Sequence, residues 1–182
     1  MKTVKRNYTI LLLLALIFAC PGIAAYEFYN HPEWLRATAL NKGELLNPPE
    51  LLANVNAKPK WRLILWNPGN CGLSCQEQVE KLARIRLALG RRLYLVDELL
   101  VVNNQTPAMS RTFMKRLRDA DIHLLSLSDE QRKKQASLTN NARIFIANPD
   151  DYLVLAYEAN AKSEDIFHDI GQLLHTAEKK SG

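Results

Sequence analysis

The longest apolar run of the chain lies near its N-terminus and extends from Tyr8 to Tyr29, with no charged residue before Glu27. About 20 predominantly apolar residues are enough for a helix that crosses a bilayer. Basic residues precede the run, and aromatic residues close it, as they do at a membrane–water interface. The pattern therefore predicts one N-terminal transmembrane helix over residues 8–29, retained as an anchor.

Two other interpretations of this run stay open. A secretory signal would be cleaved at small residues, which Gly22–Ala25 provide. A lipoprotein signal would use Cys20, although Phe18 and Pro21 are unfavourable neighbours for it. The basic residues of segment 1–7 favour the cytoplasmic side of a membrane. The expected topology is therefore a single span in a bacterial inner membrane, with the rest of the chain in the periplasm.

After the apolar run the pattern changes twice. Residues 30–60 contain four prolines and scattered leucines, which predicts an extended linker with a short strand or hairpin around Leu45–Leu52. Residues 61–178 alternate short apolar runs with amphipathic stretches. This alternation predicts a single folded domain.

Periodicity sets the elements of that domain. The predicted strands are Trp61–Trp66, Leu93–Val102, Ile122–Leu127, Ala142–Ala147 and Tyr152–Tyr157. The predicted helices are Cys75–Leu89, Thr106–Ala120, Asp129–Ala136 and Ser163–Glu178. Thr106 is the expected N-cap of the second helix, with Pro107 in its first turn. The order predicts an α/β fold with a central sheet and flanking helices on both faces.

Composition changes this picture little. The 182 residues carry a net charge of +5. Three of the 24 Lys and Arg residues precede the apolar run, which leaves 21 against 19 acidic residues, or +2, for the rest. The basic clusters within residues 84–92 and 115–118 alternate with apolar residues at helical spacing, as on solvated helix faces. Nucleic acid is therefore not an expected partner.

The cysteines change the picture more. Cys20 lies in the apolar run, which leaves Cys71 and Cys75 in the exported part. A short apolar strand, a Pro/Gly/Asn turn and a cysteine pair that opens a helix form the arrangement in which a thioredoxin-like domain presents reactive sulfur. In the first turn of a helix the two side chains would share a face, and the positive end of the helix would stabilise a thiolate. Cys71 and Cys75 are thus a candidate redox pair.

An inert disulfide that closes the Asn67–Cys75 loop is the alternative, although so short a loop gains little chain entropy from a bond. The pair is also a candidate metal site. Zinc would need two further ligands, whereas Cu(I) accepts two thiolates and a third donor, usually histidine. The histidines are His31, His123, His168 and His175. His123 is the candidate third ligand, although a packed or edge position suits the start of a strand better.

The segment WRLILWNPGNCGLSC, followed by a helix and by a later strand that ends in Asn148-Pro149-Asp150, resembles the Sco/SenC family of cytochrome c oxidase assembly proteins. The resemblance implies a membrane-anchored thioredoxin-like domain whose CxxxC pair binds copper or exchanges disulfides for the copper A centre. It also implies respiratory oxidase subunits as partners and Cu(I) as the candidate cofactor.

Two positions depart from that family. Gln76 follows Cys75 where Sco proteins have proline, and Asn140 stands nine residues before Pro149, where the family has its histidine ligand. An amide is a poor Cu(I) ligand, so the sequence favours a redox role over a copper role. We therefore expect an oxidase assembly factor that works through thiol–disulfide chemistry. The alternatives are a general periplasmic thiol–disulfide oxidoreductase and a non-catalytic, membrane-tethered scaffold with a structural disulfide.

Overall fold

The computed structural model describes residues 2–30, 41–52, 58–104 and 109–181. The chain forms two compact units, Met1–Leu40 and Asn41–Gly182. In the first unit, helix α1 spans Lys2–Asn30. Its segment Leu13–Asn30 has a mean hydropathy of 1.3 and is 0% buried. The helix is therefore long and apolar enough to cross a membrane, a property that signal sequences share.

The second unit alternates strands and helices in the predicted order. Its strands, within the described residues, are β1 (Glu44–Leu51), β2 (Trp61–Asn67), β3 (Val96–Asn103), β4 (Ile122–Leu127), β5 (Arg143–Ala147) and β6 (Tyr152–Glu158). Its α-helices are α2 (Leu73–Ala88), α3 (Arg111–Asp119), α4 (Asp129–Lys133) and α5 (Ser163–Ser181), and a 3-10 helix spans Gly90–Leu95.

The strands form one six-stranded sheet in the order β1-β6-β5-β2-β3-β4. Strands β2, β3 and β4 are parallel. The pairs β2–β5, β5–β6 and β1–β6 are antiparallel. Consequently β2 and β3 end where β5 begins, and we call this the upper end of the sheet. The cysteine pair follows β2 in sequence and lies beyond this upper end.

Alternate residues of strands β2 to β6 face two separate hydrophobic cores, because successive side chains of a strand point to opposite faces. The first core contains Leu65 of β2 together with side chains of α2, α3 and α5, among them Phe113 and Ile166. The second core contains Trp66 and is closed by residues outside the long helices, such as Leu138. The predicted central sheet with flanking helices is confirmed. The three longer helices of this unit all pack on one face, however, whereas the sequence predicted helices on both faces.

Strand β1 forms one edge of the sheet, within the segment that the sequence assigned to an extended linker. The strand expected around Leu45–Leu52 is present, and the compact unit includes the residues from Asn41 onward. The middle of β1 contains Pro48 and Pro49, and its register with β6 shifts between Leu45 and Glu50.

Helix α3 begins later than the sequence predicted. Its N-cap is Ser110, whose side chain accepts a hydrogen bond from the Phe113 amide at 3.2 Å. The expected cap, Thr106, and the adjacent Pro107 lie outside the described residues. Helix α4 likewise ends at Lys133, before the predicted Ala136.

Strand β3 begins at Val96 rather than at Leu93, because residues Gly90–Leu95 form the 3-10 helix. Gly90 has a φ of 60°, a left-handed conformation that glycine adopts without a steric penalty. Helix α2 therefore ends where the sequence predicted, but the chain makes an extra turn before it enters the sheet.

A buried carboxylate fastens the start of the second unit to α5. Asp169 is 2% exposed and accepts hydrogen bonds from the amides of Lys42 (2.7 Å) and Gly43 (2.8 Å) and from the Tyr157 hydroxyl (2.7 Å). Burial, and then the hydrogen bond to Asp169, raises the pKa of Tyr157 above its ordinary range. Gly43 lies against the Tyr157 ring, with no room for a Cβ atom.

Candidate redox site

The turn after β2 brings Cys71 to the start of α2. Strand β2 ends at Asn67, whose side-chain amide donates to the Gly69 carbonyl at 2.9 Å. The Gly72 amide then donates to the Asn70 carbonyl, also at 2.9 Å. These two short-range bonds reverse the chain, so that Cys71 lies directly before Gly72, the N-cap of α2.

Cys71 and Cys75 form a disulfide, with Cα atoms 5.0 Å apart. The sequence allowed both cysteines to lie in the first helical turn, but only Cys75 lies there, as the third residue of α2. Cys71 is half-buried at the surface, whereas Cys75 is 7% exposed and belongs to the first core. The two cysteines therefore differ in access to solvent.

The N-terminus of α2 is open toward this pair. Its N-cap Gly72 makes no side-chain hydrogen bond, and no acidic residue lies in the first turn. The first amides of a helix have no partner within the helix, and they carry the positive end of its dipole. In the reduced protein these amides favour the thiolate over the thiol. The thiolate is the reactive form of cysteine.

A side-chain network joins this turn to α3. Arg116 donates to Gln76 at 2.8 Å and to Glu80 at 3.3 Å, and its guanidinium lies 5.6 Å from the centre of the Phe113 ring. Gln76 is the residue that follows Cys75. The sequence pattern predicted a solvated face for the basic cluster around Arg116. It did not predict these contacts, because Gln76 and Glu80 both lie far from Arg116 in sequence.

The loop before β5 closes the other side of the upper end. Trp66 donates from its indole nitrogen to the Thr139 carbonyl at 2.7 Å, and Arg132 donates to the Asn140 side-chain oxygen at 2.9 Å. The position at which a Sco-like protein would carry a histidine therefore holds an amide whose oxygen accepts a hydrogen bond from an arginine.

The structure does not bring His123 to the cysteines. This histidine is exposed on β4 and aligns through Leu99 of β3 with Ile64 of β2. Aligned residues of neighbouring strands share a face, and Ile64 and Leu99 belong to the second core, whereas Cys75 belongs to the first.

Two of the remaining histidines lie on the last helix, and one is not described. His168 and His175 lie on α5, and His31 falls outside the described residues. Within the part of the chain that the structure describes, no group of three His, Cys, Asp or Glu residues could hold a metal ion.

Glu98 is a buried acid that the sequence analysis did not single out. It lies near the start of β3, at the lower end of the sheet, and aligns with Leu63. It is 2% exposed, and its Oε2 has no hydrogen-bond partner among the described residues. Burial raises the pKa of Glu98 to about 7, although the nearby Arg86 acts in the opposite direction. An acidic residue inside an apolar strand run was the available sequence signal.

A mixed sheet with helices against it, and a disulfide at the N-terminus of the helix that follows β2, define a thioredoxin-like protein. Residues 61–177 match the family model described as "Transmembrane-like, thioredoxin-like, C-terminal domain", and the chain belongs to this family. No curated protein matches the chain by sequence.

Solved structures resemble this chain at low sequence identity. Copper-bound ScoI from Arabidopsis thaliana has a TM-score of 0.52 and 13% identity, covering 66% of this chain and 88% of its own. Copper-bound ScoI from Bradyrhizobium japonicum has a TM-score of 0.44 and 18% identity, covering 63% and 85%. The thioredoxin domain of a thiol-disulfide oxidoreductase from Bacteroides vulgatus has a TM-score of 0.44 and 13% identity, covering 74% and 99%. The likeness to the Arabidopsis protein is one of fold.

Proposed function

We propose that this chain is a membrane-anchored thiol–disulfide exchange protein whose redox pair is Cys71 and Cys75. The observation that carries the proposal is the unequal exposure of the two cysteines at the N-terminus of α2, with Cys71 half-buried and Cys75 buried. An incoming thiolate has one accessible sulfur, that of Cys71, and the leaving sulfur stays inside the protein. A bond that only staples a loop needs neither this asymmetry nor a position at a helix N-terminus.

The exchange proceeds in two displacement steps. A client thiolate attacks Sγ of Cys71, the Cys71–Cys75 bond breaks, and Cys75 leaves as a thiolate that takes up a proton. A second client thiolate then attacks the client sulfur of the mixed disulfide and releases Cys71 as a thiolate. The client has lost two electrons and gained a disulfide, and the chain has become the dithiol. The same steps in reverse reduce a client disulfide.

The residues of the site do not fit copper. Cu(I) with two thiolates takes a third soft or imidazole donor. Asn140 offers an amide that already accepts a hydrogen bond from Arg132, and His123 aligns with residues of the opposite core. No step of the proposed exchange therefore involves copper.

We further propose that the client is a cytochrome c oxidase subunit, whose copper centre requires reduced cysteines, because a thiol must be deprotonated and free to bind a metal. The Sco/SenC resemblance of the sequence supports this assignment. The basic residues of segment 1–7, which precede the apolar run, support a periplasm-facing domain on an inner-membrane anchor. A general periplasmic oxidoreductase is the second candidate, and the poor fit to copper favours it.

The reduction potential of the pair tests the exchange function. The full chain in a mild detergent is equilibrated with defined ratios of reduced and oxidised glutathione or dithiothreitol. Its free thiols are then trapped with an alkylating agent, and mass spectrometry measures the fraction of the chain that is reduced. We expect a potential above about −300 mV, the range of exchanging disulfides. A clearly lower value would identify the bond as structural and favour the scaffold alternative.

Deletion of the gene in its native host tests the client. We expect oxidase activity to fall and the parent gene to restore it. Cys71→Ser should fail to rescue, whereas the matched variant Cys20→Ser, which changes a cysteine outside the pair, should succeed. Unaltered oxidase activity, together with a changed thiol state of other periplasmic proteins, would favour the general oxidoreductase.

A further inference from the structure

The loop inside the disulfide carries an exposed leucine. Leu73 is the first residue of α2, between the two cysteines in sequence. Its exposed fraction of 80% is the highest among the large hydrophobic side chains in the described part of Asn41–Gly182. It packs against neither hydrophobic core. The fold therefore does not account for an apolar side chain at this position.

The residues around Leu73 leave space beside Cys71. Gly69, Asn70, Gly72 and Ser74 are all exposed, and a Cβ atom built on either glycine would meet no heavy atom within 4 Å. Gly72 has a φ of −78°, which other residues adopt readily. The backbone conformation thus does not demand glycine at residue 72. The consequence is an open approach to Cys71, with the exposed side chain of Leu73 close to it in sequence.

We propose that Leu73 is a specificity-determining residue of the exchange reaction, whose side chain contacts an apolar residue next to the cysteine of a polypeptide client. This inference rests on the proposed exchange function. Residue 73 lies two positions from Cys71, at most about 7 Å away along the chain. A client residue that flanks the attacking cysteine therefore comes within reach of Leu73, whereas a small thiol has no such neighbour.

Two synthetic peptides test this contact. Each has one cysteine, flanked on both sides by leucine in the first peptide and by serine in the second. The full oxidised chain in a mild detergent is mixed with each peptide, quenched with acid, and the mixed disulfide on Cys71 is measured by mass spectrometry. We expect the leucine peptide to react about fourfold faster, the factor equivalent to burying one methylene group.

In the variant Leu73→Ser, the ratio of the leucine-peptide rate to the serine-peptide rate should fall to the ratio that the same peptides show when they react with free oxidised glutathione. The rate at which dithiothreitol reduces the Cys71–Cys75 bond should not change. Any intrinsic difference between the peptide thiols, or in their partition into detergent, is present in both measurements and cancels. Leu87→Ser is the matched control, because Leu87 is an exposed leucine at the other end of α2, with an exposed fraction of 67%. It should leave the ratio of the parent unchanged.

The assignment would be overturned if the parent and Leu73→Ser gave the same ratio of leucine-peptide to serine-peptide rates. It would also be overturned if Leu87→Ser lowered this ratio as much as Leu73→Ser does. Both results leave the exchange function standing, because both peptides still reduce the pair. If neither the peptides nor dithiothreitol opens the Cys71–Cys75 bond, the exchange function itself fails, and the role of Leu73 fails with it.

Discussion

Replacing Glu98 by glutamine should stabilise the protein at neutral and alkaline pH and remove one titration from its unfolding free energy. The pKa of this carboxyl rises from 4.5 to about 7 on folding, because burial penalises the charged form. Between these values the folded state binds more protons at this site than the unfolded state. The stability that Glu98 contributes is therefore complete below about pH 4.5 and is lost as pH rises through 7.

The size of the effect follows from the shift. A difference of about 2.5 pKa units corresponds to roughly 3 kcal/mol of unfolding free energy. Glutamine has nearly the same shape and stays neutral at every pH. The free energy of unfolding of Glu98→Gln minus that of the parent should therefore rise by about 3 kcal/mol between pH 4.5 and pH 8 and stay constant above it.

Urea titration of the full chain in a mild detergent, followed by tryptophan fluorescence, measures this difference. Trp66 is 0% exposed in the sheet and reports its unfolding. Glu77→Gln is the matched control, because Glu77 is exposed on α2 and its variant should follow the pH profile of the parent. A difference between Glu98→Gln and the parent that does not change with pH would refute the reasoning, since it would mean that Glu98 titrates alike in both states.

The remaining predictions concern the cysteine pair and two contacts that hold α5 in place. After reduction, iodoacetamide should modify Cys71 about tenfold faster than Cys75, because Cys75 is buried; equal rates by peptide mass spectrometry would contradict the assigned order of attack. Gly43→Ala should lower the unfolding free energy by about 1–3 kcal/mol, because the new Cβ atom would meet the Tyr157 ring. Gly171 lies in α5 with open space around it, so Gly171→Ala should raise the unfolding free energy by about 0.5–1 kcal/mol. Lys81 donates to the Ala159 and Ala161 carbonyls at 2.8 and 3.0 Å, so Lys81→Met should cost about 1–3 kcal/mol in urea titrations, while the exposed Lys115→Met should cost nearly nothing.

Local patterns predicted the elements around the cysteines, but caps were harder to place. Strand β2 is a short apolar run that ends in a Pro/Gly turn, and α2 has a clear amphipathic period, so both were found. The start of α2 was placed wrongly because its N-cap is Gly72, which has no polar side chain to mark it. For α3 the sequence predicted Thr106 as the cap, and the structure uses Ser110.

Long-range contacts decide the rest of the site. His123 was a possible ligand until the register of β4 with β3 assigned it to the face opposite Cys75. Register is a property of the assembled sheet, so it could not be read from one strand. The contact of Arg116 with Gln76 joins residues 40 positions apart, and no local periodicity signals such a pair.

The two prolines of β1 determine what can happen at that edge of the sheet. In a strand, successive backbone amides point to opposite sides, toward the neighbouring strand and away from it. Because Pro48 and Pro49 are consecutive, one of them removes a donor from the outward side in either register. A strand from a second molecule would leave one of its carbonyls unpaired there, so this edge resists the strand-to-strand aggregation to which open sheets are prone.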